Sequence, residues 1–156
     1  MAIRNILTSE DETLKKVSKV VTLFDERLHI LIDDMKDTLL SANGVGLAAP
    51  QIGMLKRIFI VYIEDKWIEV INPIIMSFSG EQISSEGCLS CPGIFGITKR
   101  PLKVTIKYQD RYGKVYKKTG TELLAKAFCH EVDHLNGELF LNKVIRFLTP
   151  DELKDN

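Results

Sequence analysis

The chain has 156 residues, 45% of them apolar, enough for one continuous hydrophobic core, and a single domain over 1–156 is expected. Its 21 basic residues balance 21 acidic ones, so no net field draws it to nucleic acid or to an anionic membrane surface. Apolar runs such as Ile58 to Ile63 are too short to span a bilayer, Met1-Ala2-Ile3-Arg4 lacks a signal-peptide pattern, and Glu10, Asp11 and Glu12 oppose a transit peptide. Three cysteines, Cys88, Cys91 and Cys129, make an odd set, so reduced thiols in a cytoplasm are expected rather than a disulfide framework.

In chain order, a short helix is expected over Asp11 to Val20. Leu28, Leu31, Ile32, Met35 and Leu39 then follow 3,4 spacing, which places one apolar stripe on a helix from about Asp25 to Ser41, stopped near Gly44. Ile58 to Ile63, Trp67 to Ile71, Ile74 to Phe78, Val104 to Tyr108 and Lys114 to Lys117 are short and rich in β-branched and aromatic residues, as strands are. Asp110-Arg111-Tyr112-Gly113 reads as a hairpin turn. A second helix is expected from about Thr121 to Asn136, with Thr121 as N-cap and Gly137 as the stop. Helix, strands, helix is an α+β order.

His130-Glu131-Val132-Asp133-His134 lies inside that second helix. Histidines at i and i+4 project from one face and can hold one divalent metal, with Glu131 beside them to handle protons. Leu123 and Ala127 extend the same stripe, so this face should be buried or line a pocket. The alternative is a helix carrying two histidines by chance, with Glu131 solvated. Asp133 is either a surface charge or a group that orients a ligand histidine or pairs with an arginine.

Two histidines still need a third ligand and an open position. Cys88, in Glu86-Gly87-Cys88-Leu89-Ser90, is a candidate, with Gly87 relieving crowding beside a thiolate that approaches a metal. Cys91 opens a competing reading, a closed structural zinc site of Cys88, Cys91, His130 and His134. On an extended strand positions i and i+3 face opposite sides, and Pro92-Gly93 allows a turn only afterwards, so both thiols are not expected at one metal. The spacer to His130 is also longer than zinc fingers use. Cys129 points about 100 degrees away from His130 on the helix and is expected to be buried and inert.

Gly44-Val45-Gly46-Leu47-Ala48-Ala49-Pro50-Gln51 lets backbone approach a ligand, with Gln51 offering an amide donor; a plain helix-to-strand connector is the other reading. Its glycine spacing is not that of a phosphate-binding loop. Taken together, Gly44 to Gln51, Glu86 to Ser90 and His130 to Gly137 stand in the order and spacing of peptide deformylase, and the whole chain resembles the short bacterial form of that family. The resemblance implies small antiparallel or mixed sheets packed around a central C-terminal helix carrying the H-E-x-x-H motif. It also implies a hydrolase that removes the N-formyl group from the N-terminal methionine of new proteins and releases formate. By that resemblance Cys88, His130 and His134 bind the metal, and Glu131 is the general acid/base for attack by metal-bound water. Gln51 and the backbone N–H of Leu89 form the oxyanion hole. The backbone at Val45, Gly46 and Gly87 pairs with an extended substrate, and Val45, Leu123 and Ala127 form the methionine pocket.

The implied cofactor is one divalent metal, ferrous iron in the cell, with zinc, nickel or cobalt possible in a purified sample. The implied partners are N-formylmethionyl nascent peptides in a bacterial cytoplasm. The run Thr149 to Asn156 is shorter than the C-terminal helix through which some bacterial relatives are thought to dock on the ribosome, so ribosome contact is possible but not implied by this segment. Departures from the family pattern are Asn43, Cys91, Phe95 and Cys129. The rival functions are an H-E-x-x-H endopeptidase and a non-catalytic, metal-stapled binding module.

Overall fold

The computed structural model describes residues 2–154; Met1, Asp155 and Asn156, part of the first and last segments read above, lie outside the described residues. Helix α1 spans Glu26–Ala42. It starts where the Asp25 carboxylate accepts the Leu28 N–H at 3.1 Å, capping an otherwise unpaired donor. It ends at Asn43, not Gly44: Asn43 takes the left-handed conformation (φ 57°), which asparagine tolerates because its short amide bonds locally. The expected helix over Asp11 to Val20 is reduced to one 3-10 turn, Glu12–Lys15, behind an Asp11 cap.

A five-stranded antiparallel sheet runs in the order β1 (Gly46–Ala48), β2 (Ile58–Ile63), β3 (Lys66–Ser79), β6 (Lys103–Gln109), β7 (Val115–Thr121). A second, three-stranded antiparallel sheet is formed by β4 (Gln82–Cys88), β5 (Cys91–Arg100) and β8 (Val144–Phe147). The segments expected as two strands at Trp67 and Ile74 are one strand. Asn72 sits between them at φ 53°, its amide bonded to both backbone groups of Val21 at 2.8 Å, and register shifts absorb the kink.

Strand β2 is apolar throughout because both faces are covered. Ile58 and Ile60 pack with Leu28, Ile32, Met35 and Leu39 of α1. Phe59 and Val61 pack with Ala125, Phe128, Val132 and Leu135 of helix α2 (Leu123–Leu135). Helix α2 is thus held against the five-stranded sheet by one face, and its histidine-bearing face is left for the smaller sheet. Thr121 is not its cap. That residue ends β7, and Glu122, at φ 54° and ψ −120°, turns the chain into the helix without a side-chain cap. At the far end Gly137, at φ 77°, sits 2.6 Å (as an ideal Cβ) from the Lys15 carbonyl, so the glycine stop is needed on two counts. A short helix α3, Pro150–Lys154, follows β8, and among the described residues no helix is long and apolar enough to cross a membrane.

Candidate metal centre and cleft

One turn of α2 separates His130 from His134, whose ring centroids lie 5.0 Å apart. Cys88, the last residue of β4, meets them: one ligand atom from each of the three lies within 4.8 Å of the others, and Cys88 Sγ is 3.3 Å from His134 Nε2. His130 Nδ1 is 2.5 Å from Glu86 Oε2. An ionised carboxylate only accepts, so Nδ1 carries the proton and Nε2 is the nitrogen left for an ion.

Glu86 stays ionised through its own partners. It accepts from Arg100 Nη2 at 2.7 Å and Nε at 3.0 Å and from Thr98 Oγ1 at 2.8 Å. Burial pushes its pKa up, but His130 and Arg100 outweigh that and hold it well below the usual carboxylate range. Arg100 also reaches Asp133 Oδ2 at 2.7 Å. Asp133 is therefore the arginine partner rather than a surface charge, and the chain Asp133–Arg100–Glu86–His130 fixes the imidazole from behind.

Glu131 is 3% exposed, and its Oε1, like His134 Nδ1, has no hydrogen-bond partner among the described residues. Burial pushes its carboxyl up to about 7, against a smaller opposing pull from His130. Burial and the neighbouring His130 push His134 down to about 3, so it is a neutral donor at physiological pH. One sulfur and two imidazole nitrogens, converging in a buried spot beside orphaned polar atoms, fit a divalent transition-metal ion. Cys91 is not in this group.

The centre lies at the floor of a cleft of about 450 Å³. Val45, Gly46, Gly87, Leu123, Ala127 and Phe95 are among its lining residues, together with Gln51, Leu89 and Glu131. Gln51 is buried and fixed at both ends: Oε1 accepts the Ala48 N–H at 2.9 Å, and Nε2 donates to Ser90 Oγ at 3.1 Å and faces Cys88 Sγ at 3.6 Å. The segment Gly44 to Gln51 is thus more than a connector. Gly46 is required by close approach, since a Cβ there would stand 2.6 Å from Glu131 Oε2.

Two expectations need correction. At Gly87 a Cβ would strike the Phe95 ring at 2.5 Å, so this glycine relieves crowding against β5 and not beside the thiolate. The chain also does turn between the two thiols. Leu89 and Ser90 form the β4–β5 reversal, so Cys88 and Cys91 are cross-strand partners rather than residues on opposite faces of one strand. Cys129 is buried, and burial pushes its thiol up to about 11, as expected of an inert cysteine.

The sequence reading gave no role to Glu86, Ser90, Thr98 or Arg100. Glu86 was within reach, because period two on a strand puts it on the same face as Cys88. Nothing local marks Arg100.

The model of the family described as polypeptide deformylase matches residues 3–148. The chain belongs to that family. A peptide deformylase of Caldicellulosiruptor bescii is 52% identical over 154 residues, covering 99% of this chain and 93% of its own. The crystal structure of a peptide deformylase from Legionella pneumophila has a TM-score of 0.89 at 46% identity, covering 99% of this chain and 90% of that one. A class I type b peptide deformylase of Acinetobacter baumannii, solved with Met-Ala-Ser bound, has a TM-score of 0.88 at 33% identity over 91% and 98%. Deformylases are metal-dependent hydrolases that remove the N-formyl group from new polypeptides, and this chain is one of them by descent and by fold. The α+β expectation holds, with both sheets antiparallel.

Proposed function

We propose that the three motifs do this work as follows: Cys88, His130 and His134 hold one divalent ion, Glu131 moves the proton, and Gln51 with the Leu89 N–H steadies the formyl oxygen. The observation that carries the assignment is the burial of the Glu131 carboxylate beside a Cys/His/His group at the floor of an apolar cleft. A divalent ion held there would act as a Lewis acid and lower the pKa of a water molecule at its open position.

Glu131, with a carboxyl near neutrality, accepts the proton of the attacking water and returns it to the departing amine nitrogen, leaving formate and a free N-terminus. Charge grows on the formyl oxygen as the water adds. The Gln51 amide, already fixed by Ala48 and Ser90, donates to it without reorganising, a contribution of about 3–4 kcal/mol for donors of this kind. Val45, Leu123 and Ala127 receive the flexible methionine side chain. The backbone at Val45, Gly46 and Gly87 pairs with the extended peptide behind it, in the manner of an added strand. The Acinetobacter baumannii relative is solved with Met-Ala-Ser bound, a tripeptide with the free N-terminal methionine that a deformylated chain presents, which supports a peptide substrate of this kind.

For the ion, the softness of one thiolate with two imidazoles suits ferrous iron, zinc, nickel or cobalt, and ferrous iron is the choice in the cell that the resemblance supports. The proposed substrates are N-formylmethionyl nascent peptides in a bacterial cytoplasm.

The test is formate release from formyl-Met-Ala-Ser by anaerobically prepared, ferrous-loaded protein, with Glu131→Ala and acetyl-Met-Ala-Ser as controls. Release that needs the metal and Glu131 and spares the acetyl peptide is expected. Cleavage of the acetyl or an internal peptide bond would instead favour an endopeptidase.

A further inference from the structure

Of the two cysteines that this site leaves unused, Cys91 has the more specific position. It is the cross-strand partner of Cys88 on the β4–β5 hairpin, with only Leu89 and Ser90 between them. Residues directly opposite on antiparallel strands stand about 4.5–5.5 Å apart at Cα, inside the roughly 4.4–6.8 Å that a disulfide spans. Both cysteines line the cleft, so a small oxidant that enters it reaches them, although Cys91 is only 2% exposed. Both are free thiols.

We infer that Cys88 and Cys91 are an oxidative modification site, at which a peroxide closes a disulfide across the hairpin and removes Cys88 from the ligand set. One thiol attacks the peroxide, becoming a sulfenic acid and releasing one water. The second thiol then displaces the sulfenic oxygen, which leaves as a second water, and the S–S bond forms. Two thiols give up two electrons and two protons, and the peroxide takes all of them. A disulfide sulfur has no thiolate charge to offer a metal, so only the two histidines remain as ligands. The covalent bridge also spares Cys88 from the irreversible sulfinic and sulfonic states, because the thiol is masked before a second oxygen can add.

The metal-loss step rests on the ligand role proposed for Cys88, whereas bridge formation does not, and the experiment separates them. Zinc-loaded and zinc-stripped protein are treated with hydrogen peroxide, then examined by peptide mass, thiol titration and bound zinc. Residues 67–99 form one tryptic peptide carrying both cysteines. That peptide is expected to lose two hydrogens, free thiols to fall from three to one, and zinc to leave the loaded protein. Dithiothreitol should restore thiols and zinc binding. In Cys91→Ala the same peptide should instead gain oxygen at Cys88, located by fragment mass, and the zinc binding recovered after reduction should fall by about tenfold or more. Oxygen addition at Cys88 or Cys91 of the wild-type peptide, told by fragment mass from sulfoxide at the exposed Met76, or a bridge that uses Cys129, would overturn the inference. A bridge that forms while zinc stays bound would overturn its second half and the ligand role of Cys88 with it.

Discussion

At Glu131 the carboxylate is packed close to the backbone of Gly46, with almost no solvent. Its position is therefore set by packing as much as by bonding, and the glycine is the softest point of that arrangement. Gly46→Ala places a methyl 2.6 Å from Oε2, closer than side chains pack, so the carboxylate must move. We expect the substitution to lower kcat by about 10²-fold, the scale on which displaced catalytic groups lose rate. Metal content and the circular dichroism spectrum should be unchanged. A Gly46→Ala enzyme with wild-type kcat would show that the carboxylate does not act from its present position. Glu131→Ala, by comparison, should cost about 10²–10⁴-fold in formate release, the usual range for a general base.

Among the elements, the entry to α2 is the least comfortable. Glu122 carries φ 54° and ψ −120°, a region that costs a residue with a Cβ about 1–3 kcal/mol. Its carbonyl accepts the Gln82 amide at 2.8 Å and its N–H donates to the Leu102 carbonyl, contacts that any residue could make through its backbone. Glu122→Gly should therefore raise the unfolding free energy by about 1 kcal/mol, visible as a higher Tm in a thermal melt. An unchanged or lower Tm would mean that the conformation is not strained.

That same corner shows why some of the fold was legible in the sequence and some was not. Helices α1 and α2 announced themselves through apolar residues at 3,4 spacing, because each buries one stripe against a sheet. The cap at Thr121 was misread because β7 continues through it to complete its pairing with Lys103. Strands β4, β5 and β8 gave little signal. Ile83, Ile94, Phe95, Ile145 and Phe147 are all 40% exposed or more, so no buried face imposed a clean alternation on them. The site was more legible than the sheets around it, since His130, Glu131, His134 and Cys88 sit in dense local motifs. Arg100 was invisible, because its significance exists only once β5 folds against α2.

For the whole molecule, Arg100 is the rivet between the smaller sheet and α2, with Glu86 and Asp133 both on its guanidinium. Arg100→Met would leave two carboxylates without their cation, Glu86 fully buried. The expected loss is about 3–5 kcal/mol in a denaturant titration, as for other broken buried pairs, and zinc affinity should fall by roughly 10–100-fold through the loosened His130. An Arg100→Met protein of wild-type stability would show that the pair is not structural.

The N-terminal strap is tied to α1 differently, by Asp34, which accepts the Ala2 N–H at 2.7 Å and pairs with Arg4 at 2.7 Å. Burial acts to raise the Asp34 pKa, but these donors prevail and hold it at about 2, from an ordinary 3.8. A carboxyl depressed on folding adds stability above its unfolded pKa and loses it as the folded value is approached. The strap should accordingly weaken as pH falls from about 4 to about 2. Asp34→Asn should flatten the stability profile across that window, and an unchanged slope would exclude Asp34 as its source.

Strands β1 and β4 are each the outermost strand of their sheet, and both border the cleft. On the pairing proposed for Val45, Gly46 and Gly87, a peptide laid between them would be read mainly by its main chain, the one part that every polypeptide has in common. Beyond its first residue, the substrate's identity would leave little mark on such a surface. A catalyst built this way would be a generalist by construction, accepting newly made chains whichever gene encoded them.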